Sequence, residues 1–260
     1  MTFETEGFAG DNAARLRAEQ RQRNEELFNF SDECARLALT IAGLLASAKN
    51  KRQLVVAAFF ARSVAHFQAA ISLAELGMTL ESLSVSRGLL ETVFVMLAIV
   101  EDAVAPHELA KHDYASRVKH ANTLLNSKDY PNVEQFKDQL RDFADLYVDT
   151  TAIDMREFAR RGKALAAYDG LYRHLSHHAA HPSLSSVDGY FLRHDDGRFT
   201  VKLRPLLTKT PAAVLSASTC LLLACFACDK CGLNTADTSA ALTRTWSQCE
   251  GLDQRFKPWA

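Results

Sequence analysis

Four histidines fall within eight positions of Tyr172-Arg173-His174-Leu175-Ser176-His177-His178-Ala179-Ala180-His181-Pro182. On a helix His174, His178 and His181 share one face, as do Tyr172 and Ser176. Imidazoles four apart can chelate zinc, but a catalytic zinc also needs a third ligand and an activated water. The metalloprotease arrangement, with Glu after the first His, is absent, so no metal and no cofactor is assigned. Acid–base chemistry suits the cluster better. In RNA cleavage one imidazole takes the proton of a ribose 2′-hydroxyl while an arginine steadies the charge developing on phosphorus. Arg173 and His178, or His181, are the candidates for those roles, although Arg173-x4-His178 does not put both on one helix face. Arg156, Arg160, Arg161 and Lys163 lie close enough in sequence to steer a phosphate backbone. The alternative is a helix end whose histidines meet solvent and the negative pole of the macrodipole.

A second group stands out because its surroundings are so apolar. Arg62 and His66 are four apart, and Arg87 and Glu91 repeat that spacing among Leu83, Leu89, Leu90, Phe94 and Leu97. An Arg–Glu pair within such a helix is costly to desolvate unless it is well partnered. Either it fixes helix register, or Arg62, His66, Arg87 and Glu91 floor a polar pocket. In the pocket reading Arg87 binds an anion and Glu91 orients it.

Cys220-x4-Cys225-x2-Cys228-x2-Cys231 contains the spacing of a plant-type iron–sulfur loop. Such a loop needs an irregular, glycine-rich backbone. Here the cysteines interrupt Leu221-Leu222-Leu223-Ala224 and Phe226-Ala227, where they read as small buried residues of a helix.

The elements that must hold these groups are helical. A helical pattern covers Asp11 to Asn50, after a frayed opening to about Gly10. Leu54 to Leu76 forms a helix that Gly77 caps, and Thr79 caps the next, which runs to about Asp102. The short link makes the two an antiparallel hairpin at the centre of the fold. Pro106 opens a helix to Asn126, Asn132-x-x-Gln135 one to Tyr147, and Thr151-x-x-Asp154 a basic segment, Arg156 to Lys163. Another helix spans Lys163 to Ala180. The period then changes, and alternation around Asp195-Asp196-Gly197 predicts a small β-hairpin near 188–204. Helices from Thr210 to Lys230 and Thr235 to Glu250 complete an all-α single domain over residues 1–260, ahead of a tail at Phe256–Ala260.

With 48% hydrophobic residues, 11 glycines and 6 prolines, the chain can bury a large core of long helices. Its net charge of −1 excludes a globally basic nucleic-acid-binding surface and leaves only a local patch for that role. The N-terminus lacks the basic start and apolar run of a signal peptide, so a cytoplasmic setting with six reduced cysteines is expected. Thr210 to Cys228 carries no charge before Asp229, but its Ala, Ser and Thr content favours a core helix over stable membrane insertion.

Arg87-Gly-Leu-Leu-Glu91 on an apolar helix after a short hairpin resembles a feature of the bacterial domain of unknown function 5677. So does Tyr172-x3-Ser176-x4-His181-Pro182-Ser183, and the likeness spans roughly Gln53 to Lys230. It implies that Arg87, Glu91, Tyr172, Ser176 and His181 converge in a helical bundle, and it carries no activity. A wider resemblance is to HEPN proteins, helical bundles that include ribonuclease toxins and antiphage effectors. Their site, an Arg, then four to six intervening residues, then a His, is assembled across a dimer. Arg173 to His178 fits that spacing, and His181 lies too far from Arg173 for it. Two expectations follow. One is a metal-independent RNA endonuclease of a toxin or defence system, homodimeric and acting on RNA. The other is a non-enzymatic helical module holding a small anionic ligand or a protein partner in the Arg87–Glu91 pocket.

Overall fold

The computed structural model describes residues 3–127 and 130–258, apart from the side chains of Glu4 and Ala180. It is an all-α bundle with one small β-hairpin. The chain opens with α1 (Phe3–Glu6), α2 (Gly10–Arg23) and α3 (Glu25–Ala42). Within the helical pattern of Asp11–Asn50 the backbone breaks at Asn24 (φ −119°, ψ 38°), whose side-chain amide donates back to the Gln20 carbonyl. The opening is not wholly frayed, because Phe3 packs edge-on against Phe8. Met1, Thr2, Trp259 and Ala260, parts of the expected frayed start and tail, lie outside the described residues.

Then come the two helices of the central hairpin, α4 (Lys51–Glu75) and α5 (Thr79–Val100). Asn50 caps the first by accepting from the Gln53 amide. Its C-terminal end is a Schellman motif: Gly77 N–H donates to Ala74 O, Met78 N–H donates to Leu73 O, and Gly77 takes φ +73°. A side chain at Gly77 would also strike Pro205, its Cβ lying 2.6 Å from that ring. The expected Thr79 cap is replaced by a long-range bond, its hydroxyl donating to Leu206 O at 3.2 Å. From Leu89 to Val100 only Glu91 escapes burial, which is why α5 is apolar all round.

Beyond it lie α6 (Pro106–Asn126), α7 (Lys137–Leu146) and α8 (Met155–Arg161). Pro106 occupies the first turn of α6, as its fixed φ suits. Asn132 does not cap: it is left-handed at φ 65° and leads into a 3₁₀ turn, Val133–Phe136. At α8 the cap is Asp154 rather than Thr151, its carboxylate accepting from Glu157 N.

Residues 165–180 form a continuous helix of unusual pitch. α9 (Leu165–Ala167) passes into a π-helical stretch, Tyr168–Tyr172, then α10 (Arg173–Leu175), then a second π stretch, Ser176–Ala180. After α11 (Leu184–Val187), strands β1 (Phe191–Arg193) and β2 (Phe199–Val201) pair antiparallel, with Leu192 opposite Thr200. The expected hairpin is present, shorter than its alternation suggested. α12 (Thr210–Lys230) and α13 (Ala236–Phe256) complete the chain.

α4, α5 and α12 pack mutually as the centre, with α3 and α13 against α12, and α8 and the 176–180 stretch against α5. Glu101, just past α5, binds both Lys163 and Lys230, which hold its carboxyl down to about 2. Among the described residues three segments are long and apolar enough to cross a membrane: α4, α5 and 207–230. Sequence reading had singled out only the last. In the bundle 44%, 72% and 78% of the three apolar windows is buried, so α4 keeps the most surface outside the core.

Candidate functional site

Arg87 and Glu91 project one turn apart from the half-buried stripe of α5, and Tyr172 meets them from the first π stretch. Arg87 Nη2 donates to the Tyr172 hydroxyl at 2.9 Å, and that hydroxyl donates to Glu91 Oε1 at 2.8 Å. The triangle closes with Arg87 Nη2 to Glu91 Oε1 at 3.0 Å. The guanidinium also lies 5.1 Å from the Tyr172 ring centroid. Tyr172 is fixed beneath by Phe94, edge-on at 5.7 Å, and beside by Tyr168, stacked at 4.9 Å. π turns are rare and recur at functional sites because the wide turn re-aims side chains. Here the turn carries both tyrosines onto α5. Burial, and then the bond to Glu91, push the Tyr172 phenol above its ordinary value, so it stays a neutral hydrogen-bonding bridge near pH 7.

Glu91 is the part of this hub that faces a groove of about 740 Å³ between α4, α5 and α6, closed by Met155 of α8. Arg62 and His66 enter it from α4, so three of the four residues expected to floor a pocket line one groove. Arg87 is not in its wall; it holds Glu91 there. His66 Nδ1 is buried with no hydrogen-bond partner, and burial followed by the Arg62 charge lowers its pKa below the usual 6.5. Opposite stands His112, absent from the sequence-derived candidates. Its Nδ1 accepts from Ile153 N–H at 3.0 Å, which leaves the ring proton on Nε2, and burial lowers its pKa too. Helix α6 is polar on most sides, so nothing in its sequence marked His112 as special.

The charges of the groove are unequally matched. Glu91 is met by Arg87, and Asp113 by Arg117 at 3.8 Å. Among the described residues Arg62, which is exposed, has no ion pair or hydrogen bond. Phe59, Val85, Val95 and Leu109 supply apolar walls.

The histidine cluster is arranged differently. The His174 and His178 rings lie 4.2 Å apart, and His177 stands edge-on to His178 at 4.8 Å. Burial first, then the neighbouring imidazoles and Lys209, lower the pKa of His174 and His178. Arg173 points to solvent with its side chain 71% exposed and approaches Asp169 at 4.0 Å, not His178. His181 has left the helix (φ −100°, ψ 138°) and is exposed. Neither its side chain nor that of Ser176 joins the Arg87–Glu91–Tyr172 hub. Of the basic run, Arg160 and Arg161 both bind Glu157, and Lys163 binds Glu101; all three are locally neutralised. Cys220, Cys225 and Cys228 are buried along α12, where desolvation pushes each thiol far up.

Fold and site together define an all-α bundle in which an Arg–Tyr–Glu hub braces one wall of a mainly apolar groove. The chain belongs to the family of unknown function DUF5677, whose model matches residues 53–199, from the first turn of α4 to the start of β2. The hub and the groove lie within that span, whereas α12 and α13 lie beyond it. No curated protein and no solved structure matches the chain, and no match connects it to the HEPN proteins.

Proposed function

We propose that this protein is a helical binding module whose groove holds a small acid with an apolar body. The observation that carries this reading is the unmatched Arg62 cation beside the buried, unpartnered His66 nitrogen, on a wall otherwise apolar or already neutralised. A ligand carboxylate would take a charge-assisted bond from Arg62 and a second from the His66 ring, while its hydrocarbon part covers Phe59, Val95 and Leu109. Arg87 and Tyr172 act as positioning residues, keeping Glu91 turned toward its own partners so that its charge does not repel the ligand.

Calorimetric titration with octanoate, benzoate and phenylacetate, and with the matching alcohols, tests the reading. At least one acid is expected to bind saturably, and Arg62→Ala to weaken it about tenfold or more, the value of one charge-assisted bond. Equal affinity for acid and alcohol, or an unchanged affinity in Arg62→Ala, would count against it. The metal-independent ribonuclease is a second reading, favoured by one observation: burial and the neighbouring His177 and Lys209 lower the His178 pKa, toward the neutral form a general base needs.

A further inference from the structure

A second cleft, of about 330 Å³, lies between α12 and α13, with Leu171 of the first π stretch at its rim. It does not touch the groove described above. Its wall is acidic: Glu250 and Asp253, one turn apart on α13, line it, and among the described residues no Lys, Arg or His does. Glu250 is held by Trp246, whose indole N–H donates to Oε1 at 2.9 Å, and Trp246 is itself set edge-on against Phe226 at 5.4 Å. Asp253 has no side-chain hydrogen bond or ion pair among the described residues.

The floor points independently to a ligand. Ser216 is 3% exposed and lines the cleft, yet among the described residues its hydroxyl has no hydrogen-bond partner. Elsewhere in the bundle Ser63, Ser84 and Ser86 bond the carbonyl one turn back, the usual solution for serine in a helix. Among the other buried serines of the described residues, Ser82 also lacks a hydroxyl partner, but it does not line this cleft. A buried hydroxyl without a partner costs stability, so one in the wall of a cleft gains a bond when its side chain turns toward a donor that enters.

We propose that this cleft binds a primary alkylammonium ion. The ammonium group has three donors and no acceptor, which suits an acceptor set of Ser216 Oγ and the carboxylates of Glu250 and Asp253. Trp246 adds an aromatic wall of the kind that attracts organic cations, and Leu171 and Leu215 meet the alkyl chain.

The test is calorimetric titration of the full chain with 1,4-diaminobutane, its neutral analogue 1,4-butanediol, and magnesium chloride. Saturable binding of the diamine alone is expected. Asp253→Asn and Glu250→Gln, both at exposed positions, should each weaken it by about tenfold. Ser216→Ala should weaken it too and, by removing an unpaired buried hydroxyl, raise the melting temperature by about 2 °C. A structural serine would show the opposite thermal effect. Three results would overturn the proposal: no saturable diamine binding, equal affinity in the Glu250→Gln/Asp253→Asn double variant, or magnesium bound in place of the diamine.

Discussion

Phe94→Ala is expected to lower folding stability by about 3–5 kcal/mol, the range for truncating a fully buried phenylalanine. Phe94 is 0% exposed, and its ring lies 5.7 Å from Tyr172 and 6.0 Å from Tyr168. The cost therefore includes the cavity and two aromatic contacts, each adding about 0.5–1.5 kcal/mol. Against a total stability of roughly 5–15 kcal/mol, that is a large share. The same change should weaken acid binding in the groove, even though Phe94 does not line it. Without the ring beneath it, Tyr172 no longer holds its hydroxyl between Arg87 and Glu91. Urea unfolding gives the first effect and calorimetry under folded conditions the second. Loss of stability with unchanged binding would separate the aromatic layer from the groove.

Gly162→Ala should cost about 3 kcal/mol, near the upper end for overpacking. A Cβ at Gly162 would lie 2.8 Å from Leu97 Cβ and 2.9 Å from Ala98 N. The second of these is backbone of α5 and cannot rotate away. Gly162 is thus glycine because α8 ends against the central helix; the left-handed residue of that terminus is the next one, Lys163, at φ 55°. Gly170→Ala is the matched control, since nothing lies within 4 Å of a Cβ there. That substitution should be neutral or slightly stabilising, by up to about 1 kcal/mol. Thermal or chemical unfolding of the two variants side by side gives the difference, and equal stabilities would contradict the close packing of α8 on α5.

Much of this architecture was legible. Gly77 announced a helix end because a left-handed residue is needed at a Schellman terminus, and it takes positive φ. The central hairpin followed from two apolar runs with a link too short for anything else. Arg62, His66 and Glu91 were conspicuous because they are polar among the mostly apolar residues of the two central helices. What sequence did not reveal depends on long-range partners. Thr79 turns away from its own helix to Leu206. Arg87, Glu91 and Tyr172 meet as the family resemblance implied, but Ser176 and His181, which it grouped with them, stand apart. His181 was grouped with the histidine face by a 3.6-residue period. Two π stretches change that pitch, and the helix ends before His181 is reached. His112 stayed hidden because a polar residue on a polar helix carries no signal until another element covers it.

The central claim, a carboxylate held beside Arg62 and His66, is tested most directly by NMR titration of the His66 ring with pH, without and with saturating phenylacetate or whichever acid binds. In the free protein His66 should titrate below 6.5, because burial and the Arg62 charge both disfavour its charged form. A bound carboxylate supplies the opposite charge and partners the orphaned nitrogen, so the account predicts that the His66 pKa rises on binding. Acid affinity should then increase as pH falls through the free-state pKa. A His66 titration that is the same with and without bound acid would contradict the account.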